Sequence, residues 1–344
     1  MDICPKTKIF CAFYNWVNFF ELCNSLITEL FFKLQQAGII MDKWKQEVQK
    51  HYKSAVDDYT RQYQPIYDEY PANQKRLDFM IKRLSALRPS TLLDCGCGEG
   101  SPIRSIAETG IEVWGFDFVP EMVEKAKSNL KPIGLSDRVW AGDITDLKSF
   151  KPSGIETPDT FEVCMAMGVF PHLTDEVHAL KNMAAVTRNG GRIFVEFRNE
   201  LFSLFTLNRY SYAFYKDNLM KTASLESEKP ESSAEIHAIT EKIKPFFSLD
   251  QPPVRSGSAD APGYDTILSK FHNPLNLSPL FKSVGLKIED IFFYHYHAIP
   301  PMFEREHSHL FRDASLEMEQ DPHDWRGYFM ASAFVIEAVK TLDE

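Results

Sequence analysis

Three carboxylates and a run of glycines carry the chemistry this sequence offers. Asp94 opens the stretch Asp94-Cys95-Gly96-Cys97-Gly98-Glu99-Gly100, and Asp117 and Asp143 end two later apolar runs. Glycine serves where the backbone must turn sharply and a ligand must come close without a Cβ in the way. A pyrophosphate-binding loop wants G-x-G-x-x-G, its third glycine packing helix on strand. Here the spacing is G-x-G-x-G, followed by Ser101. An acid at the strand end would repel a pyrophosphate and attract an ammonium. The loop therefore favours a ligand that brings a positive charge to Asp94.

These residues need elements to hold them. Thr91–Leu93 reads as a buried strand running into the loop, and Ser101–Thr109 as a helix closed by Gly110. Ile111–Phe116 is a second strand ending in Asp117 and Phe118, and Pro120–Leu130 is a helix with proline at its start. Val139–Gly142 is a short strand delivering Asp143 and Ile144. Thr160–Met167 and Arg192–Phe197 supply a fourth and a fifth strand around a helix at Leu173–Arg188. Each acid alone suits a turn or cap; three at successive strand ends are not easily coincidental.

Over roughly residues 75 to 200 the chain resembles the class I S-adenosylmethionine-dependent methyltransferases, beginning with their first motif at Asp94–Gly100. The resemblance implies an α/β fold, a Rossmann-like seven-stranded mostly parallel sheet of order 3-2-1-4-5-7-6. N-terminal helices precede that sheet, and a cap is inserted after strand 5. It implies S-adenosyl-L-methionine as cofactor, held by Asp94, Gly96, Gly98 and Gly100 at the loop and by Met167 at the end of the fourth strand. Asp117, with Phe118 beside it, would take the ribose hydroxyls, and Asp143 the adenine amino group with Ile144 against the ring. In many such enzymes an aromatic residue of an N-terminal helix closes over the cofactor. Tyr59 and Tyr63, one turn apart, are placed for that, although tyrosines packing a helix on the body explain them equally well.

The expected organisation is an apolar helical extension (1–40), N-terminal helices forming a lid (41–90), and the cofactor-binding core (91–199). A cap insertion (200–273) and the C-terminal part of the sheet (274–344) follow. Polar residues break residues 9–32 at three- and four-residue steps, which argues against a membrane span and for packing on the body, homodimer contact or peripheral membrane contact. The net charge of −10, with no basic block, disfavours nucleic acid as partner. Six cysteines without zinc-type pairing read as reduced thiols of a cytoplasmic protein. His295-x-His297 and His307-x-His309 come without cysteine or a helical pair, so no metal is expected.

The activity implied is methyl transfer to a small-molecule acceptor, favouring a hydroxyl of a metabolite or sugar-like intermediate. N- or C-methylation, an NAD-dependent oxidoreductase and a catalytically inactive cofactor-binding regulatory protein are the alternatives. A hydroxyl acceptor needs a base. His172, just past the fourth strand, is the first candidate, because an ordinary imidazole titrates near 6.5. Glu196 would serve only if burial raised its pKa, which Arg198 opposes. His295, on a later strand, is the third.

Overall fold

The sheet is built on β1 (Thr91–Cys95), in which every residue after the first is buried. Leu92 packs into one core cluster and Leu93 into the other, so the strand separates two apolar layers, as a central parallel strand must. The computed structural model describes residues 43–56, 61–63, 70–220, 230–249 and 268–341. Two compact units are distinguished, Met1–Glu47 and Val48–Glu344. Of the first only residues 43–47, which are helical, are described. The rest of this account concerns the second.

β2 (Glu112–Asp117) and β3 (Val139–Ala141) lie to one side of β1, and β4 (Phe161–Ala166) and β5 (Thr187–Asn199) to the other. β7 (Leu286–Tyr296) and β8 (Ala331–Lys340) close the far edge, giving the order β3-β2-β1-β4-β5-β8-β7. This is the expected order 3-2-1-4-5-7-6 once β6 (Phe271–His272), a two-residue strand pairing with the end of β5, is set aside. The pairs are parallel except β5 with β8 and β7 with β8. Parallel register brings the carboxyl ends together, with Asp94 opposite Gly115 and Asp117 opposite Ala141.

Helices α1 (Ala72–Leu87), α2 (Ser101–Ala107), α3 (Pro120–Leu130) and α4 (Glu176–Val186) accompany the strands. β5 starts earlier than the sequence suggests. Asn189-Gly190-Gly191 does not end a helix but lies in the strand, where the register with β4 shifts between Phe161 and Val163 and Gly190 takes φ 70°. Beyond β5 come the short helices Ser203–Thr206 and Arg209–Phe214, then α5 (Pro230–Ile243). α6 (Ser278–Lys282) precedes β7, and α7 (Ser308–Met318) lies between β7 and β8.

One contact fixes α1 on the sheet. Glu337 of β8 is fully buried, and two guanidiniums cover it: Arg83 of α1 at 2.7 and 2.9 Å, and Arg192 of β5. Such a carboxylate is tolerated only because its charge is matched and its lone pairs are filled. This anchor, with Leu77, Met80 and Leu84 in the core, sets where Arg76 on the same helix must fall.

Candidate cofactor and acceptor site

The glycine loop is held by its neighbours in space. The Gly96 and Cys97 N–H groups both donate to the Phe116 carbonyl at the end of β2, at 2.8 and 3.0 Å. Gly96 has φ 120°, and a Cβ there would stand 2.3 Å from the Val169 methyl, so only glycine fits. Gly100 (φ 88°) opens α2 and lets it approach Ala126 and Leu130 of α3, each 3.2 Å from where a Cβ would lie. Asp117 has a part the sequence did not indicate. Its Oδ2 accepts the Gly98 N–H and its Oδ1 the Val119 N–H, both at 2.9 Å, so it ties the loop to the end of β2. Each of its oxygens keeps a further lone pair for a ligand.

Asp94 is 2% exposed, and its Oδ1 has no hydrogen-bond partner. Burial, then the neighbouring Asp117 charge, push its carboxyl up to about 8, and Arg76 opposes them. A cleft opens beside it, lined by Asp94, Gly96, Gly98, Arg76, Met165 and Met167. Arg76 could not be picked from the sequence, where it is one basic residue on an amphipathic helix. Its guanidinium bonds the Glu196 carboxylate of β5 and donates to the Tyr63 hydroxyl at 3.1 Å. Asp143 sits past β3, where its Oδ1 accepts the Thr145 N–H at 2.8 Å and hydroxyl at 2.7 Å, while its own N–H donates to Ser149. Ile144 beside it is buried, and Phe118 is half-buried. Tyr59 lies outside the described residues.

The three base candidates fare differently from their sequence readings. His172 is not an ordinary imidazole: burial lowers it to about 4. Its Nδ1 meets the Leu268 carbonyl at 2.7 Å, and a carbonyl only accepts, so Nδ1 carries the proton. Nε2 then accepts from the Tyr52 hydroxyl at 3.0 Å, which leaves His172 a poor proton acceptor. Glu196 is 6% exposed, and its Oε2 is engaged by the Arg76 guanidinium, which α1 brings to the end of β5. His295 takes φ 56°, unusual for a residue that is not glycine, at the end of β7. Its ring stacks on Tyr70 (5.3 Å between centroids, 19°), and burial holds its pKa well below 6.5. Among the described residues no three His, Cys, Asp or Glu side chains converge as a metal site. No helix among them is long and apolar enough to cross a membrane.

Part of this chain is similar to known proteins. Residues 93–195 match the family described as methyltransferase domain. A ubiquinone biosynthesis O-methyltransferase from Xylella fastidiosa (strain M23) is 30% identical over 135 residues, 39% of this chain and 52% of that protein. One from Vibrio cholerae (strain M66-2) is 27% identical over 143 residues, 41% and 53% of the two chains. The chain thus spans about half the length of the curated relatives it matches. Among solved structures, magnesium protoporphyrin IX methyltransferase from Synechocystis PCC 6803 with bound S-adenosylhomocysteine gives a TM-score of 0.47. It is 12% identical, over 89% of this chain and all of that one. Over residues 93–195, then, the chain is similar to methyltransferase domains.

Proposed function

We propose that the protein transfers a methyl group from S-adenosylmethionine to a hydroxyl of a small-molecule acceptor. The observation that carries this reading is the unpartnered, buried Oδ1 of Asp94 at the wall of the cleft. An ionised carboxylate so placed calls for a cation, and the ammonium of the methionine moiety is one. Arg76 lines the same cleft and offers the opposite charge to the methionine carboxylate. Asp94 and Arg76 together match a zwitterion, which a nicotinamide dinucleotide does not present.

Asp117 accepts from the ribose hydroxyls with the lone pairs its loop contacts leave over. Asp143 and Ile144 take the adenine edge and face. When bound, the cofactor supplies a methyl on a sulfonium, a good leaving group. The protein's own part is to align the acceptor and accept its proton. The names of the O-methyltransferase relatives support oxygen as the methylated atom.

Calorimetry on Asp117→Ala tests this assignment. Loss of charge-assisted hydrogen bonds should weaken S-adenosylmethionine binding by roughly 1.5–3 kcal/mol. Unchanged affinity in a folded variant would remove Asp117 from the cofactor site.

A further inference from the structure

His172, Glu196 and the Arg76 guanidinium are engaged with other groups at the sheet edge, but an imidazole two residues beyond His295 is not fully engaged. His297 is 9% exposed. Its Nδ1 is bonded to the Glu304 carboxylate, and its Nε2 is buried with no partner. A buried ring nitrogen left without a hydrogen bond is costly, so such an atom asks for a partner. The Glu304 carboxyl on Nδ1 fixes the ring's orientation; burial raises that carboxyl to about 7 and lowers the imidazole to about 3, so above pH 7 the pair is an ionised acid beside a neutral ring. With the proton on Nδ1, the Nε2 lone pair is presented for use, the arrangement that makes a base of a histidine.

The surroundings say what would use it. Phe202, the third residue past β5, lies over the His297 ring at 4.6 Å and 37°. Phe311 of α7 flanks the ring at 5.5 Å and 32°, and His295 at 4.9 Å and 36°. Tyr70 continues the series, stacked on His295 and tilted against Phe311. Nε2 thus lies buried among the faces of flat rings, and a planar aromatic molecule is the ligand that could replace one of them. Phe202 follows β5 and His295 ends β7, so the cluster gathers at the carboxyl edge of the sheet.

His272 is the nearest rival, with Nε2 3.0 Å from Glu176 and an unpartnered Nδ1. It shares that carboxylate with Lys270 and packs on Phe197 of the core, away from the ring cluster.

We propose that His297, oriented by Glu304, is the proton acceptor for an aromatic hydroxyl acceptor that takes the place of the Phe202 ring over it. This rests on the methyl-transfer reading above. The acceptor's O–H proton passes to Nε2, and its oxygen forms the new bond to the methyl carbon. The methyl–sulfur bond breaks, its electron pair staying on the sulfur as a neutral thioether. Glu304 balances the imidazolium until the proton leaves to water.

The test uses the full chain with histidine labelled in its ring nitrogens, read by long-range proton–nitrogen NMR at pH 8. His297→Phe and His297→Asn identify the resonances by their loss. Phenol is the probe and anisole, which has no hydroxyl proton, the control. The expected result is an unprotonated Nε2 whose resonance shifts with phenol and not with anisole, and a several-fold weaker phenol response in Glu304→Ala. A protonated Nε2, a resonance unmoved up to the solubility of phenol, or equal shifts with phenol and anisole would overturn the proposal. Binding of S-adenosylhomocysteine is measured by calorimetry on the same sample. Its absence would count against the methyl-transfer reading while the phenol titration still decides on His297.

Discussion

The two halves of the sheet carry their chemistry in different ways. On the β1–β3 side each functional group sits at or just past the end of its own strand, and its partners are a few residues away or one strand over. Asp143 bonds Thr145, and Asp117 bonds Val119 and the Gly98 of the neighbouring loop. On the β4–β8 side the polar groups find partners far along the chain: Glu196 with Arg76, His172 with Tyr52 and Leu268. Under the proposed function, the cofactor is met by a short local pattern. The acceptor is met by side chains that only the fold brings together.

Arg76 joins the halves, and removing it should have the largest effect. Arg76→Met leaves Glu196 buried without its cation, at a cost of about 3–5 kcal/mol in stability. Adding Glu196→Gln should recover most of that stability, read by denaturant unfolding, while S-adenosylmethionine affinity stays low. Recovery of both would make Arg76 purely structural and leave the cofactor cleft to the β1–β3 side alone.

Gly96→Ala probes that side by itself. Its Cβ would meet the Val169 methyl at 2.3 Å on a backbone at φ 120°. Strain and displacement should cost roughly 2–3 kcal/mol, felt in stability and cofactor affinity together. A variant of normal stability and affinity would show that the loop does not need this close approach.

Asp94 gives a smaller effect with a definite sign. Its pKa is raised to about 8 in the folded protein, above the value near 3.9 of an unfolded chain. The stability this group contributes is present in full below pH 4 and is lost as pH rises through 8. Asp94→Asn should therefore stabilise the ligand-free protein at pH 8 by roughly 1–2 kcal/mol while weakening S-adenosylmethionine binding. In the wild type, binding at pH 6.5 should release close to one proton as the carboxyl ionises against the ammonium. Calorimetry in buffers of different ionisation heat reads that proton, and no release would mean Asp94 has another partner.

His172 should matter least. With Nε2 accepting from Tyr52, His172→Ala should lower kcat by less than about tenfold. A loss of a hundredfold or more would return His172 to the proton-accepting role and strengthen the parallel between the halves.

Much of this architecture was legible in the residue pattern, because it rests on local rules. Apolar runs ending in an acid, glycines at fixed spacing and a proline opening α3 place β1 to β4 within a residue or two of where they lie. The bulge that lets β5 run back to Thr187 was not legible, since Gly190 and Gly191 signal a turn whether or not a strand continues through it.

By itself the sequence determined the loop that only glycine can make and the three acids at neighbouring strand ends, while the order of the sheet came from the family resemblance those motifs carry. Each follows from spacing within about thirty residues and from a backbone whose conformations are few. Tertiary structure decided the ionisation and the partners. Whether Glu196 is a base or half of an ion pair depends on Arg76, 120 residues away. Whether a histidine is an ordinary imidazole or a neutral, pinned one depends on burial and on which carbonyl or carboxylate meets each nitrogen. Those are properties of the space around a side chain, and residues remote in the chain supply that space.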